Sequence, residues 1–139
     1  MDKITKNFNF ELFFSALADN TRLRLLNLMS DDEVCVCFFV EVLQTNQPKI
    51  SRHLAYLRRA GIVTARKEGL WMHYRIVETK NEELNKILRQ IRETIAKDPE
   101  MQADRARMVN VCCGPVLPAN IQGAPIPASL ANYQCNTKC

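Results

Sequence analysis

Apolar side chains along the first hundred positions recur at helical spacing in five stretches and alternate like strands in two. Phe10, Phe13, Phe14 and Leu17 fall at i, i+3, i+4 and i+7, which predicts an amphipathic helix over 8–18. That face is broad for so short an element and suits either core packing or a dimer interface. Asp19 is placed to cap a second helix through Met29, with Leu23 and Leu26 inward. Ser30-Asp31-Asp32-Glu33 has the form of a capping box opening a third helix, in which Val36, Phe39, Val40 and Leu43 form the buried stripe. A polar turn, Gln44 to Asn46, follows. Pro48 then suits the first turn of a fourth helix, Ile50, Leu54 and Leu57 mark its inner face, and Gly61 ends it.

Two helices joined by so short a turn, the second basic and polar on its outer side, form a helix-turn-helix pattern. Ile62 to Arg66 and Trp71 to Ile76 alternate as two strands around a turn at Lys67-Glu68-Gly69-Leu70. The alternation puts Met72, Tyr74 and Ile76 inward and Trp71, His73 and Arg75 outward. A hairpin directly after such a helix is a wing. Leu84, Ile87, Leu88, Ile91 and Ile95 predict a further helix over 81–96, interrupted by Pro99, with a weaker helical stretch from Glu100 to Val109. From Asn110 onward four of the six prolines occur and Lys138 is the lone charged residue, so an irregular tail is expected. The chain therefore divides into a winged helix-turn-helix domain over 1–97 and a Cys/Pro-containing extension over 98–139, mainly α with one β-hairpin.

Charge sharpens this picture. Residues 44–80 hold eight basic side chains against two acidic ones, a net +6 in a chain whose total is +4. A basic block confined to one folded segment is the footprint of a phosphate-binding surface. No apolar run reaches membrane-spanning length and MDKITKNFNF lacks the apolar centre of a signal peptide, so a cytoplasmic protein is expected. In that reducing compartment the six cysteines, paired as Cys35 and Cys37, Cys112 and Cys113, and Cys135 and Cys139, suit metal binding or redox sensing better than structural disulfides. A thiol enzyme is disfavoured, since no nucleophile is paired with a base and no Cys-x-x-Cys occurs in an α/β setting.

The segments ALADNTRLRLLNLM, EVCVCFFVEVL, QPKISRHLAYLRRAGIV and RKEGLWMHYRI, in that order, strongly resemble the ArsR/SmtB family of metal-responsive repressors, over about residues 10–95. The Cys-Val-Cys before the DNA-reading helix is the mark of its arsenic-sensing branch. The resemblance implies a homodimeric winged helix-turn-helix that holds double-stranded operator DNA and releases it when inducer binds. Some members carry a third cysteine three residues after the pair, where this chain has Val40. Zinc-sensing members carry histidine and carboxylate ligands on the last helix of the core, and the helix over 81–96 has neither histidine nor aspartate.

Trivalent arsenic or antimony favours three soft thiolates in a pyramid, whereas zinc takes four ligands in a tetrahedron. Cys35 and Cys37 supply two sulfurs. In a regular helix these positions point roughly 200° apart, so both grip one ion only if the first turn deforms, and that deformation would re-aim the helix after it. Cys112 and Cys113 are the candidates for the third sulfur, although a methylated arsenical needs only two. Cys135 and Cys139 have no assigned role. The alternative reading is a repressor of the same fold that responds to thiol oxidation or to another soft metal such as cadmium, zinc or lead.

For the DNA reader, Gln47, Ser51 and Arg52, near the start of the fourth helix, are candidates for base contacts. Lys49, Tyr56 and Arg59 are placed for phosphate. Arg66 and Lys67 on the wing suit backbone or an adjacent minor groove. His53 is expected to pack or cap locally, and Trp71 to pack.

Overall fold

The structure, a computed structural model, describes residues 8–114 and 117–131. Helix α1 (Phe10–Leu17) starts at Asn9, whose side chain accepts from the Leu12 amide. It buries Phe13, Ala16 and Leu17 but leaves Phe10 and Phe14 at 46% and 47% exposure. Asp19 caps α2 (Asn20–Met29) as its sequence position predicts, and Leu25, Leu26, Leu28 and Met29 are buried.

The next segment departs from expectation. Residues 30–33 do not open a helix. Val34 and Cys35 form a short strand, β1, and α3 (Val36–Leu43) begins only after it, with Cys35 as an N-cap whose side chain makes no capping bond. The acidic residues that imitate a capping box have other partners: Glu33 binds Arg66, Asp31 binds Arg92 and Asp32 binds Ser129. Gln44 then ends α3 in the left-handed region, and Asn46 caps α4 (Gln47–Arg59) through the Lys49 amide. Ile50, Leu54 and Leu57 are fully buried, as the periodicity requires, and Gly61 leaves the helix with φ of +80°.

The wing consists of β2 (Val63–Glu68) and β3 (Trp71–Ile76), paired in register from Val63 opposite Ile76 to Glu68 opposite Trp71. Its turn is only Gly69 and Leu70, so Lys67 and Glu68 lie in the strand rather than the loop. β1 joins the opposite edge, with Val34 opposite Tyr74 and Cys35 opposite His73, making β3 the central strand. This addition corrects the reading of His73 as an outward residue. Residues directly opposite in a sheet project to the same face, so Cys35 stands beside His73 there, and His73 is 3% exposed while Met72, Tyr74 and Ile76 are only half-buried.

Helix α5 (Glu82–Ile95) is capped by Asn81 and buries Leu84 and Leu88. Pro99 opens rather than merely interrupts: it is the first residue of α6 (Pro99–Cys113, 15 residues), which outruns the expected Glu100–Val109 stretch by one residue at its start and four at its end, with Asp98 capping. Helix α6 buries Met101, Asp104, Met108 and Cys112. The Asp104 carboxylate, wholly buried, accepts two bonds from Arg24 at 2.7 and 2.9 Å and one from Arg107. Beyond it the described residues 117–131 pack against the rest of the chain. Ile121, Ala124 and Leu130 are buried in the same core, a 3-10 turn at Ala119–Ile121 rests on α3, and the Ser129 amide bonds Asp32.

Candidate functional site

The β1-to-α3 junction sets the thiol geometry. Cys35 is extended, with φ −72° and ψ 143°, while Cys37 is already helical. The roughly 200° divergence of a continuous helix does not apply, because the first thiol belongs to the strand. The two sulfurs lie 3.2 Å apart with no deformation of the helix needed. One proton between two sulfurs at that distance is shared unequally. The Cys37 thiol donates to Cys35, whose pKa is thereby lowered to about 7; burial opposes the shift, and the backbone amides of Cys37, Val36 and Met72 reinforce it. Cys37 is held protonated, its pKa raised first by that same bond and then by burial. The pair is thus a thiolate beside a thiol near neutral pH, a good nucleophile for a soft electrophile.

The thiols open into a cavity of about 170 Å³, walled by Val36 and Val40 of α3, Leu70, Trp71 and Met72 of the wing, and Gln47, the first residue of α4. Sequence reasoning did not assemble these walls. The signal was the Cys-Val-Cys itself, but its placement against the wing depends on the β1–β3 pairing, which only two residues carry. The tail passes this region: a Cβ built on Gly123 would stand 3.7 Å from Trp71 Cζ2.

Of the two cysteines expected to supply a third sulfur, only Cys112 has a described side chain. Among the described residues no three of His, Cys, Asp and Glu gather as a metal site. Cys112 is buried in the core on α6. The side chain of the other candidate, Cys113, lies outside the described residues, as do Cys135 and Cys139.

On the outer side of α4, Gln47, Lys49, Ser51, Arg52 and Arg59 are exposed. Tyr56 is half-buried, held between two guanidiniums, with Arg22 at 4.1 Å and Arg59 at 4.8 Å from its ring centre. Arg22 also donates to the carbonyls of Ala16 and Ser15 and meets His53 Nδ1 at 3.2 Å, so His53 has the local packing role expected. Burial lowers its pKa, Arg22, Arg52 and Lys49 reinforce this and Asp19 opposes it. On the wing, Lys67 is exposed, but Arg66 is not free to roam. It forks onto Glu33, at 2.6 Å from Nη2 and 3.0 Å from Nε, and touches Glu68. That bond lowers the Glu33 pKa. Arg66 therefore links the wing to the residue two before Cys35.

A helix-turn-helix followed by a two-stranded wing, with an exposed basic face on its second helix, defines the winged helix-turn-helix class. The comparisons with known proteins agree. The model of bacterial regulatory proteins of the arsR family matches residues 19–65. The arsenical resistance operon repressor of Escherichia coli (strain K12) is 52% identical over 64 residues, 45% of this chain and 55% of that protein, so the chain spans about half of that relative's length. An uncharacterized HTH-type transcriptional regulator of Methanocaldococcus jannaschii is 45% identical over 76 residues, 54% of this chain and 85% of that one. Among solved structures, the AntR antimony-specific transcriptional repressor is similar at a TM-score of 0.51 and 28% identity, covering 67% of this chain and 79% of its own. The chain belongs to the arsR family of bacterial regulatory proteins. Among the described residues no helix is long and apolar enough to cross a membrane.

Proposed function

We propose that this protein is a homodimeric repressor that binds operator DNA through α4 and the wing, and releases it when trivalent arsenic or antimony binds Cys35 and Cys37. One observation carries the reading: the cavity beside the two sulfurs is bounded at once by the sensor helix, the wing and the first residue of the DNA-reading helix. A ligand there touches each element that sets the pose of α4 on DNA, and a difference in its affinity for two poses is all that release requires.

The sulfur spacing favours a pyramidal centre. Metal–thiolate bonds are about 2.3 Å, so sulfurs 3.2 Å apart subtend roughly 90° at a bridging atom, whereas a tetrahedral ion would need them spread to about 3.8 Å. The arsenical and antimony-specific names of the two repressors above point the same way. Ligation at Cys35 pulls on β1, and β1 is paired to β3 and tied through Glu33 to Arg66, so the wing moves with the sensor. Phosphate contacts from Lys49, Arg59, Lys67 and the Tyr56 hydroxyl supply affinity, and Gln47, Ser51 and Arg52 reach base edges. Phe10 and Phe14 on α1 and Ile87 on α5, exposed at 46%, 47% and 39%, offer apolar surface for a second copy.

The test is binding of the reduced full chain to DNA upstream of its own gene, followed by fluorescence anisotropy, with arsenite, antimonite, cadmium, zinc or peroxide added. Release by the metalloids, lost in Cys35→Ser and Cys37→Ser variants that still bind DNA, is the expected result. Release by peroxide alone would make the protein a thiol redox sensor, and release by cadmium or zinc alone a soft-metal sensor.

A further inference from the structure

Resting on the reading of α4 as the DNA-reading helix, we propose that Arg22 and His53 are positioning residues for operator recognition. A neutral His53, with its lone pair on Nδ1, is gripped by the Arg22 guanidinium, and that grip sets α4 against the end of α1. Arg22 is 9% exposed, and its guanidinium is divided among three acceptors. Nε donates to the Ala16 carbonyl at 2.7 Å, Nη2 to the Ser15 carbonyl at 3.1 Å, and Nη1 stands 3.2 Å from His53 Nδ1. Its flat face covers the Tyr56 ring at 4.1 Å. Ser15 and Ala16 belong to the last turn of α1, where carbonyls run out of donors within the helix. His53 and Tyr56, three residues apart on α4, share one face of it. One side chain of α2 thus bonds the end of α1 and a flank of α4 at once.

This joint reaches DNA through the dimer. Helix α1 carries Phe10 and Phe14, the apolar surface offered to a second copy, and α4 carries the reader. Two reading helices meet successive major grooves only at a spacing of about 34–36 Å, so the angle between α1 and α4 decides how each half-site is met. Arg22, being buried, acts through α4 and not on DNA itself.

The joint also has a required protonation state. A guanidinium donates and never accepts, so the contact is a hydrogen bond only while Nδ1 holds a lone pair and the ring proton sits on Nε2. The charged groups facing the ring are Asp19 at the cap of α2, 3.8 Å away, Arg22 of α2, and Arg52 and Lys49 of α4. Burial first, and then the three cations, outweigh Asp19 and hold His53 below the ordinary histidine range, so the ring is neutral at neutral pH. Acid puts a proton on Nδ1 against Arg22 and turns the ring towards Asp19. By charge alone, a further cation on a DNA-reading helix tightens binding as pH falls. Loss of the Arg22 grip weakens it, so the direction of the acid limb separates the two effects.

The reduced full chain is tested on DNA upstream of its own gene and on random DNA of equal length. Nitrogen NMR of the His53 ring at neutral pH should show Nε2 protonated and Nδ1 bare. Affinity for its own DNA should be flat at neutral pH and fall through the His53 midpoint, while binding to random DNA does not fall. His53→Asn, whose amide oxygen takes the place of Nδ1 and does not titrate, should keep the preference for its own DNA and lose the acid limb. His53→Leu should lower that preference roughly tenfold, the loss of one hydrogen bond to a charged group. Arg22→Lys keeps the charge without the fork and should do the same, with an unchanged salt dependence because no phosphate contact is lost. If urea unfolding shows that Arg22→Lys does not fold, the ring NMR and the His53 variants decide. A ring protonated on Nδ1, tighter binding in acid, or an unchanged preference in His53→Leu overturns the inference and leaves DNA reading by α4 standing. An unaltered chain with no preference for its own DNA overturns both.

Discussion

Replacing Cys37 with alanine removes the thiol that donates to Cys35 across 3.2 Å and leaves the backbone amides around the sulfur in place. With the donor present, Cys35 ionises with a pKa of about 7, so about half the molecules carry a thiolate at pH 7. An ordinary thiol, with a pKa near 8.5, is only ~3% ionised there. A hydrogen bond to a charged acceptor contributes about 1.5–3 kcal/mol net, which is roughly one to two pKa units at 1.36 kcal/mol per unit. The Cys35 midpoint of the Cys37→Ala variant should therefore rise to about 8–9, burial pushing it up and the amides of Val36, Cys37 and Met72 holding it down. The sign carries to function: below the midpoint the sulfur is protonated, so capture of a thiophilic ligand slows about tenfold per pH unit and levels off above it. Titrating the Cys35 Cβ resonance by NMR, in protein with labelled cysteine, resolves this site from the other thiols and needs no reagent to reach a buried sulfur. A wild-type midpoint near 8.5, or one that does not move in Cys37→Ala, refutes the shared-proton account.

Other perturbations test the scaffold and the DNA face. Asp104→Leu leaves the Arg24 guanidinium beside the core without its carboxylate and should cost about 3–5 kcal/mol in urea unfolding; a loss under 1 kcal/mol would show that α6 is not anchored there. Glu33→Gln breaks a half-exposed pair, so stability should change by less than about 1 kcal/mol. The same change frees Arg66 for phosphate, and operator affinity should rise; unchanged affinity would separate Arg66 from DNA. Arg52→Ala should weaken operator binding, cost about 1–3 kcal/mol of discrimination at one base position, and leave arsenic binding intact. A uniform loss across sequences with a shallower salt dependence would reassign Arg52 to phosphate.

Much of the fold was legible because one face of each helix must be buried. Leu54 and Leu57 on α4, the Asp19 cap and the Pro48 start follow from periodicity and capping chemistry alone. The sensor junction was harder to read, since Ser30 to Glu33 carries capping-box residues whose side chains are bound by distant partners. Nothing in a two-residue strand announces itself locally: β1 exists through its pairing with β3, and His73 is buried for the same reason. Helix α6 was hard to read because its buried stripe, Met101, Asp104, Met108 and Cys112, includes a carboxylate whose partner Arg24 lies 80 residues away. The cysteines could be singled out by type and spacing, but their 3.2 Å approach and the cavity beside them depend on where strand gives way to helix. The DNA face was accessible through charge, whereas the tie from Arg66 to Glu33 was not, since it joins two elements 33 residues apart.

The measurement that bears most directly on the sensor is arsenic-driven release of operator DNA by a variant keeping only Cys35 and Cys37, with Cys112→Ala and Cys113, Cys135 and Cys139 changed to serine. Bound to DNA and released over the same range of trivalent arsenic as the unaltered chain, it would meet the prediction that two thiols at the strand-to-helix junction suffice. A variant that binds the operator normally and stays on it when arsenic is added would contradict that claim and place an essential sulfur in the C-terminal segment.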